Sequence, residues 1–419
     1  MPKNTAELCE NLSGNLFAGS VAPVSIAKKN NKNAGLALIL LATIFSSISP
    51  LPAAIFGVGG NLIFILGCVI FLVYFFCTGG RYPVRKLSVV MVPILVALPS
   101  AIYWRELSLL FFPIYLTASI LIVMVVSEGV VREFSEIATK FLVVVAAGAW
   151  IGFFYALLGG GSLFSIENPD GRTNDFFLAT FSNWYIGNLI RPAGVFDEPG
   201  TLSFVICFVS ALRGRLSQSR KITWLLLFLG LITTSLAHVI YMIFHGIADR
   251  KSFIGNKAIL VVVPCAMMVG GFLFAGWVGD ADSKESEIFL SRFLIEDGKI
   301  GGDTRSEMFF SALGKINSEN FLFGVDGDCI SRPTVCEAKG HEFGETPAGM
   351  ILLLGIFLAA PYFLVLILTA SLLFSRSGFL FFGIFLILLQ RPYVSLFGYS
   401  LLILVVVFSK ISKKSITMA

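Results

Sequence analysis

Long apolar runs alternate with short polar stretches along most of this chain. Residues 1–33 are polar. No short apolar segment with a small-residue cleavage site follows Met1, so no cleaved signal peptide is expected. The first apolar run is 34–52, and others follow at 57–76, 87–103, 107–127, 138–158, 201–213, 258–278 and 346–374. Several have the roughly 20 residues that cross about 30 Å of hydrocarbon. Two longer runs are interrupted. Residues 222–248 carry Thr233-Thr234-Ser235 and His238, and 378–408 carry Gln390, Arg391 and Pro392. Each is expected to fold back as two short helices, meeting near Ser235 and near Arg391.

Composition turns this pattern into a class. The chain of 419 residues is 56% hydrophobic and only 14% charged, with a mean hydropathy of +0.85. That is too little charge to cover a soluble surface, which excludes a soluble enzyme, a secreted disulfide scaffold and a disordered chain. The reading is an all-α polytopic membrane protein with about 12 transmembrane segments, or 10 to 12 if some are re-entrant. Two of these are pairs of short or broken helices. Net charge is +5, which in such a chain reports sidedness and is no nucleic-acid footprint.

Basic residues cluster in loops 77–86, 213–221 and 249–257, which marks them as cytoplasmic. Both termini then lie inside. The expected organisation is a tail at 1–33, helices over 34–158, a large external loop at 159–200 and helices over 201–278. A second large external loop at 279–345, helices over 346–408 and a cytoplasmic tail at 409–419 complete it. Residues 304–316 of the second loop read as an amphipathic helix opened by Asp303 or Thr304. That places Arg305 in the first turn, where amides favour an anion.

Polar chemistry concentrates in the external loops. Arg191-Pro-Ala-Gly-Val-Phe-Asp197-Glu198-Pro199-Gly200 puts a guanidinium fork and two carboxylates at the start of a helix. One reading is a structural cap in which Arg191 pairs with Glu198; the other is a site for a phosphate or carboxylate ligand. His238 either lines a cavity or packs against Ser235, and His245 is expected at an interface. His341, before the 346–374 run, is a candidate acid or base or an ordinary loop histidine. Arg391 is a candidate topological marker. Of seven cysteines, Cys9, Cys68, Cys77, Cys207 and Cys265 are expected as free thiols. Cys329 and Cys336 suit a disulfide in an oxidising compartment.

The order of these elements resembles the bacterial O-antigen polymerase and O-antigen ligase superfamily. The residues that carry the resemblance are 191–200, Leu-Ile-Thr-Thr-Ser at 231–235 and Gly-Asp-Thr-Arg at 302–305. Asn-Phe-Leu-Phe-Gly-Val-Asp-Gly at 320–327 and Gly-His-Glu-Phe at 340–343 complete the set. The likeness covers roughly residues 180–375. It departs at 235–237, where Ser-Leu-Ala stands in place of the Ser-Arg of many relatives.

The resemblance implies an inverting glycosyltransferase in the bacterial inner membrane. Its partners would be an undecaprenyl-pyrophosphate-linked glycan, the bilayer and a chain-length regulator protein, with no nucleic acid, cofactor or metal. Arg191 and Arg305 would bind pyrophosphate, and Glu198 and His341 would serve as catalytic base. The Glu-Pro-Gly element favours a polymerase over a ligase that transfers glycan to lipid A core. A transporter or flippase of lipid-linked sugar is the rival from another class.

Overall fold

The computed structural model describes residues 26–82, 87–167, 173–186, 189–249, 295–296, 299–300, 304–325, 346–374 and 378–408. The first half is helical: α1 (Ile26–Ile48), α2 (Pro50–Phe56), α3 (Gly60–Cys77), α4 (Leu87–Trp104), α5 (Phe111–Val125) and α6 (Glu128–Leu157). α3 shows what solvent surrounds them. Phe64, Cys68, Phe71 and Phe75 are buried on one face, while Leu62, Leu66, Val69, Val73 and Phe76 form an exposed stripe on the other. A helix apolar all round that leaves half its girth uncovered belongs in lipid. The chain is a multi-pass membrane protein.

Five helical segments among the described residues are long and apolar enough to span: Asn31–Ile48, Gly60–Cys77, Leu107–Val125, Glu128–Leu157 and Pro347–Phe374. This corrects the expectation of about twelve. The shorter apolar helices are Ser88–Trp104, Leu236–Ala248, Gly378–Gln390 and Phe397–Phe408. A helix of 12 or 13 residues reaches only about 18–20 Å, against about 30 Å of hydrocarbon. Hydropathy registers an apolar run but not the length of unbroken helix within it. The expected span 258–278 lies outside the described residues.

The chain is not all-α either. Strands β1 (Phe164–Glu167), β2 (Thr173–Phe177) and β3 (Thr180–Ser182) form an antiparallel sheet in that order. β4 (Tyr185–Ile186) and β5 (Leu189–Ile190) pair as a second hairpin. Rich in Phe, Thr and Ile, these segments suit a pleated surface half-buried against a helix.

The sheet does not stand clear of the bundle. It descends along α6, where a Cβ at Gly152 would strike Thr180 and the Phe177 carbonyl, and Gly148 lies against Ala179. Further down α6, Gly194 lies against Val145. From Leu157 back to Val145 is about 18 Å at about 1.5 Å per residue. The segment expected as an external loop therefore re-enters the bundle. Irregular backbone is tolerated at such depth only when protein covers it, and here Thr180, Phe181, Ser182, Ile190, Ala193 and Phe196 are buried.

The re-entrant segment leads into α7 (Pro199–Arg215), the centre of the fold. Pro199 and every residue from Thr201 to Arg213 are buried. Around it pack α6, α8 (Arg220–Gly230), α9 (Leu236–Ala248), and two later helices, α13 (Gly378–Gln390) and α14 (Phe397–Phe408). The run 222–248 breaks between α8 and α9 in a 3-10 turn, Leu231–Thr233, followed by Thr234 in the left-handed region at φ 49°. The run 378–408 breaks between α13 and α14 at Arg391-Pro392 and a 3-10 turn, Tyr393–Ser395. The residue before a proline is pushed out of helical geometry, which ends α13 there.

Between these hairpins come the two-residue strands β6 (Ile295–Glu296) and β7 (Lys299–Ile300), then α10 (Thr304–Lys315), α11 (Ser318–Phe323) and α12 (Pro347–Ser371). α12 is kinked at Gly355, whose φ is 67°.

Candidate functional site

The site is built where the re-entrant segment meets the tips of the two broken hairpins. Arg191 follows β5. Its backbone N–H donates to Trp184 O at 3.1 Å, and Ser182 Oγ sits 2.7 Å from Trp184 O and 2.9 Å from Arg191 O. The guanidinium, 5.6 Å from the Trp184 ring, donates from Nε to Thr234 Oγ1 at 3.0 Å and from Nη2 to Thr233 O at 3.3 Å. The break after Thr233 leaves carbonyls at the negative end of a helix, and Arg191 satisfies one of them.

Gly194 makes the turn that follows, at φ 66°, with its N–H donated to Thr180 Oγ1 at 2.8 Å. A positive φ of this kind is the reason a glycine stands at the turn. Its amide already has an acceptor, so it offers no anion nest here. The chain then runs past Phe196, which packs on Phe45, while Ser49 Oγ donates to Val195 O at 2.6 Å.

Glu198 is the residue before α7, and its side chain makes no cap hydrogen bond. Pro199 in the first helical position has no N–H to offer it. The carboxylate turns instead to the other hairpin. Glu198 Oε1 accepts from Arg391 Nη1 and, at 3.1 Å, from the Tyr393 hydroxyl. Arg391 Nη1 also donates to that hydroxyl and lies over its ring. Side-chain exposure is 13% for Arg391 and 19% for Glu198, so the pair is recessed but not sealed. Gly200 admits it, because a Cβ there would fall on the Arg391 guanidinium.

Beside the pair, Thr201 Oγ1 donates to Asp197 Oδ1 at 3.0 Å, and the Tyr399 hydroxyl lies 3.0 Å from Thr201 Oγ1. Beneath lie the tilted or edge-on rings of Phe204, Tyr393 and Tyr399, with centroids 4.5–5.6 Å apart. The result is an aromatic floor, two carboxylates at a helix N-terminus and one arginine across from them. It can hold an anion against Arg391 and accept a proton at Glu198.

The structure thus gives Glu198 and Arg191 separate partners. Glu198 takes Arg391 as its ion partner, and Arg191 braces the α8–α9 break. Arg391, read from sequence as a topological marker, is the residue that sequence reasoning undervalued. Its signal was present: an arginine in mid-run within a membrane segment calls for a functional reading and a named partner.

Arg305 falls in the first turn of α10, and its side chain lies outside the described residues. His341, Cys329 and Cys336 also lie outside them, so the second candidate base and the disulfide are not placed. His238 is fully buried, with Nε2 2.8 Å from Leu227 O and Nδ1 3.5 Å from Cys207 Sγ, which is packing rather than a cavity wall. His245, expected at an interface, is buried at 5% exposure with Nδ1 3.3 Å from the Tyr241 hydroxyl. Cys68, Cys77 and Cys207 are free thiols, as expected. No protein-family model, curated protein or solved structure matches the chain.

Proposed function

We propose that this protein is a polysaccharide polymerase of the bacterial inner membrane. It would join undecaprenyl-pyrophosphate-linked oligosaccharide repeats at the outer face, with both termini cytoplasmic and a chain-length regulator as partner. The observation that carries this reading is the recessed Glu198–Arg391–Tyr393 cluster at the N-terminus of α7, in the segment that also bears Arg191.

The chemistry follows from charge. The acceptor hydroxyl attacks the anomeric carbon of the donor glycan with inversion, the bond to pyrophosphate breaks, and the hydroxyl proton passes to Glu198. Glu198 Oε1, which accepts from Arg391 and from the Tyr393 hydroxyl, is the carboxylate oxygen placed to take that proton. An entering pyrophosphate offers the guanidinium fork a second anion, and an arginine that turns to it frees the carboxylate oxygen to meet the acceptor hydroxyl. Charge developing on the leaving pyrophosphate is met by Arg391 and Arg191. Arg305 and His341 remain in the proposal as a further cation and an alternative base.

The test is deletion of the gene in a glycan-producing host, followed by separation of surface polysaccharide by length. Single repeats on lipid A core support the polymerase. Loss of every core-linked repeat, with polymer accumulating on the lipid carrier, supports a ligase. Lipid-linked repeats trapped on the inner face support a flippase. Re-expressed Glu198→Gln, at normal abundance, is expected to lower long-chain product about 10²-fold or more, the usual scale of a lost general base. Full restoration by Glu198→Gln would remove Glu198 from the mechanism.

A further inference from the structure

We infer that the α10–α11 hairpin lies on the lipid surface as an interfacial element, with one face against α12 and another in the outer edge of the bilayer. α10 has three faces. Phe309, Ala312 and Ile316 fall on one side and pack with Ala348 and Leu352 near the start of α12. At about 100° per residue, Phe310 and Leu313 occupy a neighbouring strip, and Glu307, Ser311 and Lys315 the remaining arc. Phe310 is 68% and Leu313 51% exposed. α11 continues the strip with Phe321 at 41% and Leu322 at 42%.

The occupant of that strip follows from what it joins. The hairpin is fixed to α4 by Trp104 Nε1, which donates to Phe323 O at 2.8 Å, and by Tyr103 stacked on Phe323 at 4.1 Å. It is fixed to α12 where the backbones of Gly324 and Gly355, both at positive φ, meet face to face with no room for a Cβ on either. The surface it abuts carries Ile102, Tyr103, Leu107 and Phe111, each more than half exposed, at the end of the α4–α5 pair. That is the lipid-facing surface of a membrane bundle, and the Tyr-Trp pair sits where aromatic belts sit. Residues 304–323 carry Arg305, Glu307, Lys315 and Glu319, so they are neutral overall. A polar arc beside an apolar strip with no net charge suits the headgroup boundary.

The inference needs only the membrane setting of the chain and does not depend on its reaction. The test places benzoylphenylalanine at Phe310, Leu313 or Phe321 in the full chain in native membranes, with irradiation and mass analysis of the adducts. Ile102 serves as the lipid-facing control, Lys315 as the water-facing one and Phe309 as the protein-facing one. Phospholipid adducts at Phe310 and Phe321 are expected within about twofold of those at Ile102 and at least about fivefold above Lys315, as for apolar groups held in the interface. Adducts to another protein, to a second copy or to this chain's own peptides would overturn it. So would yields no higher than at Lys315. Leu313 reports independently should a phenylalanine position fail to accumulate.

Discussion

At one end of α7, Arg213 donates to Thr223 Oγ1 at 2.9 Å, Thr139 Oγ1 at 2.9 Å and Ser219 O at 3.3 Å. Beside it, Arg215 Nη1 donates to Val406 O and Val407 O, at the C-terminal end of α14. At the other end, Arg391 is held by a carboxylate and a phenol. Both ends place guanidinium groups in a low-dielectric bundle, yet the partners differ in kind. Carbonyls and hydroxyls built into α6, α8 and α14 cannot leave without unfolding those helices. A carboxylate on a side chain can give up its arginine to another anion that fits the same fork. The first end is a lock and the second an exchangeable contact.

The largest expected effect falls on the lock. Arg213→Met removes three hydrogen bonds from a guanidinium that is 3% exposed, and charge-assisted hydrogen bonds are the strong ones. Thr139 and Thr223 keep their bonds to Ser135 O and Ser219 O, so the loss is that of the arginine's own bonds and packing. A loss of about 3 kcal/mol or more is expected, read as collapse of membrane abundance and early thermal unfolding in detergent. Normal abundance would show that the two ends do not differ as claimed.

Arg391→Met comes next, and it should separate stability from activity. Glu198 keeps the Tyr393 hydroxyl and is 19% exposed, so about 1–3 kcal/mol is expected rather than the full cost of a sealed orphan charge. The protein should accumulate to a measurable level yet form no long chains. Arg391→Lys should recover the level without the product, because an ammonium lacks the planar fork. Product formation by Arg391→Met would reduce the arginine to a structural counter-ion.

Gly200→Ala tests the contact without removing a charge. The added Cβ falls on the guanidinium, the movable end of a long side chain, so the arginine shifts and the helix stays. A stability change of about 1 kcal/mol or less is expected, with a clear loss of product. An unchanged product level would mean that the pair tolerates displacement.

How much of this arrangement could be read beforehand depends on whether its cause is local. The breaks at Thr233–Ser235 and Arg391–Pro392 were legible, because polar residues and a proline interrupt apolar runs. The helix at 304–315 was legible from its periodicity. The sheet was legible only in part: Asn168-Pro169-Asp170-Gly171 between β1 and β2 is a turn signal that went unread, whereas β2 and β3 are joined through Leu178 at φ 55° and Ala179, with no glycine or asparagine to signal a hairpin. The span count failed because hydropathy measures apolar length, while α9, α13 and α14 end where backbone geometry ends them. Glu198 and Arg391 lie 193 positions apart, so their pairing exists only once α7 and the last hairpin are packed together.

Tyr393→Phe is the finest probe of the difference between the two ends. The ring is kept, so its contacts with Phe204 and Tyr399, at 5.6 Å and 4.5 Å, should survive. Only the hydroxyl goes, and with it one donor to Glu198 and one acceptor from Arg391. If Arg391 is held chiefly by the carboxylate, the loss is that of one modest hydrogen bond, about 0.5–1.5 kcal/mol, and unfolding in detergent should shift only slightly. Activity should change in the same small measure, because the arginine can still exchange Glu198 for an incoming anion. A collapse as deep as that of Arg213→Met would mean that the phenol, not the carboxylate, holds the arginine. The Glu198 end would then be another lock.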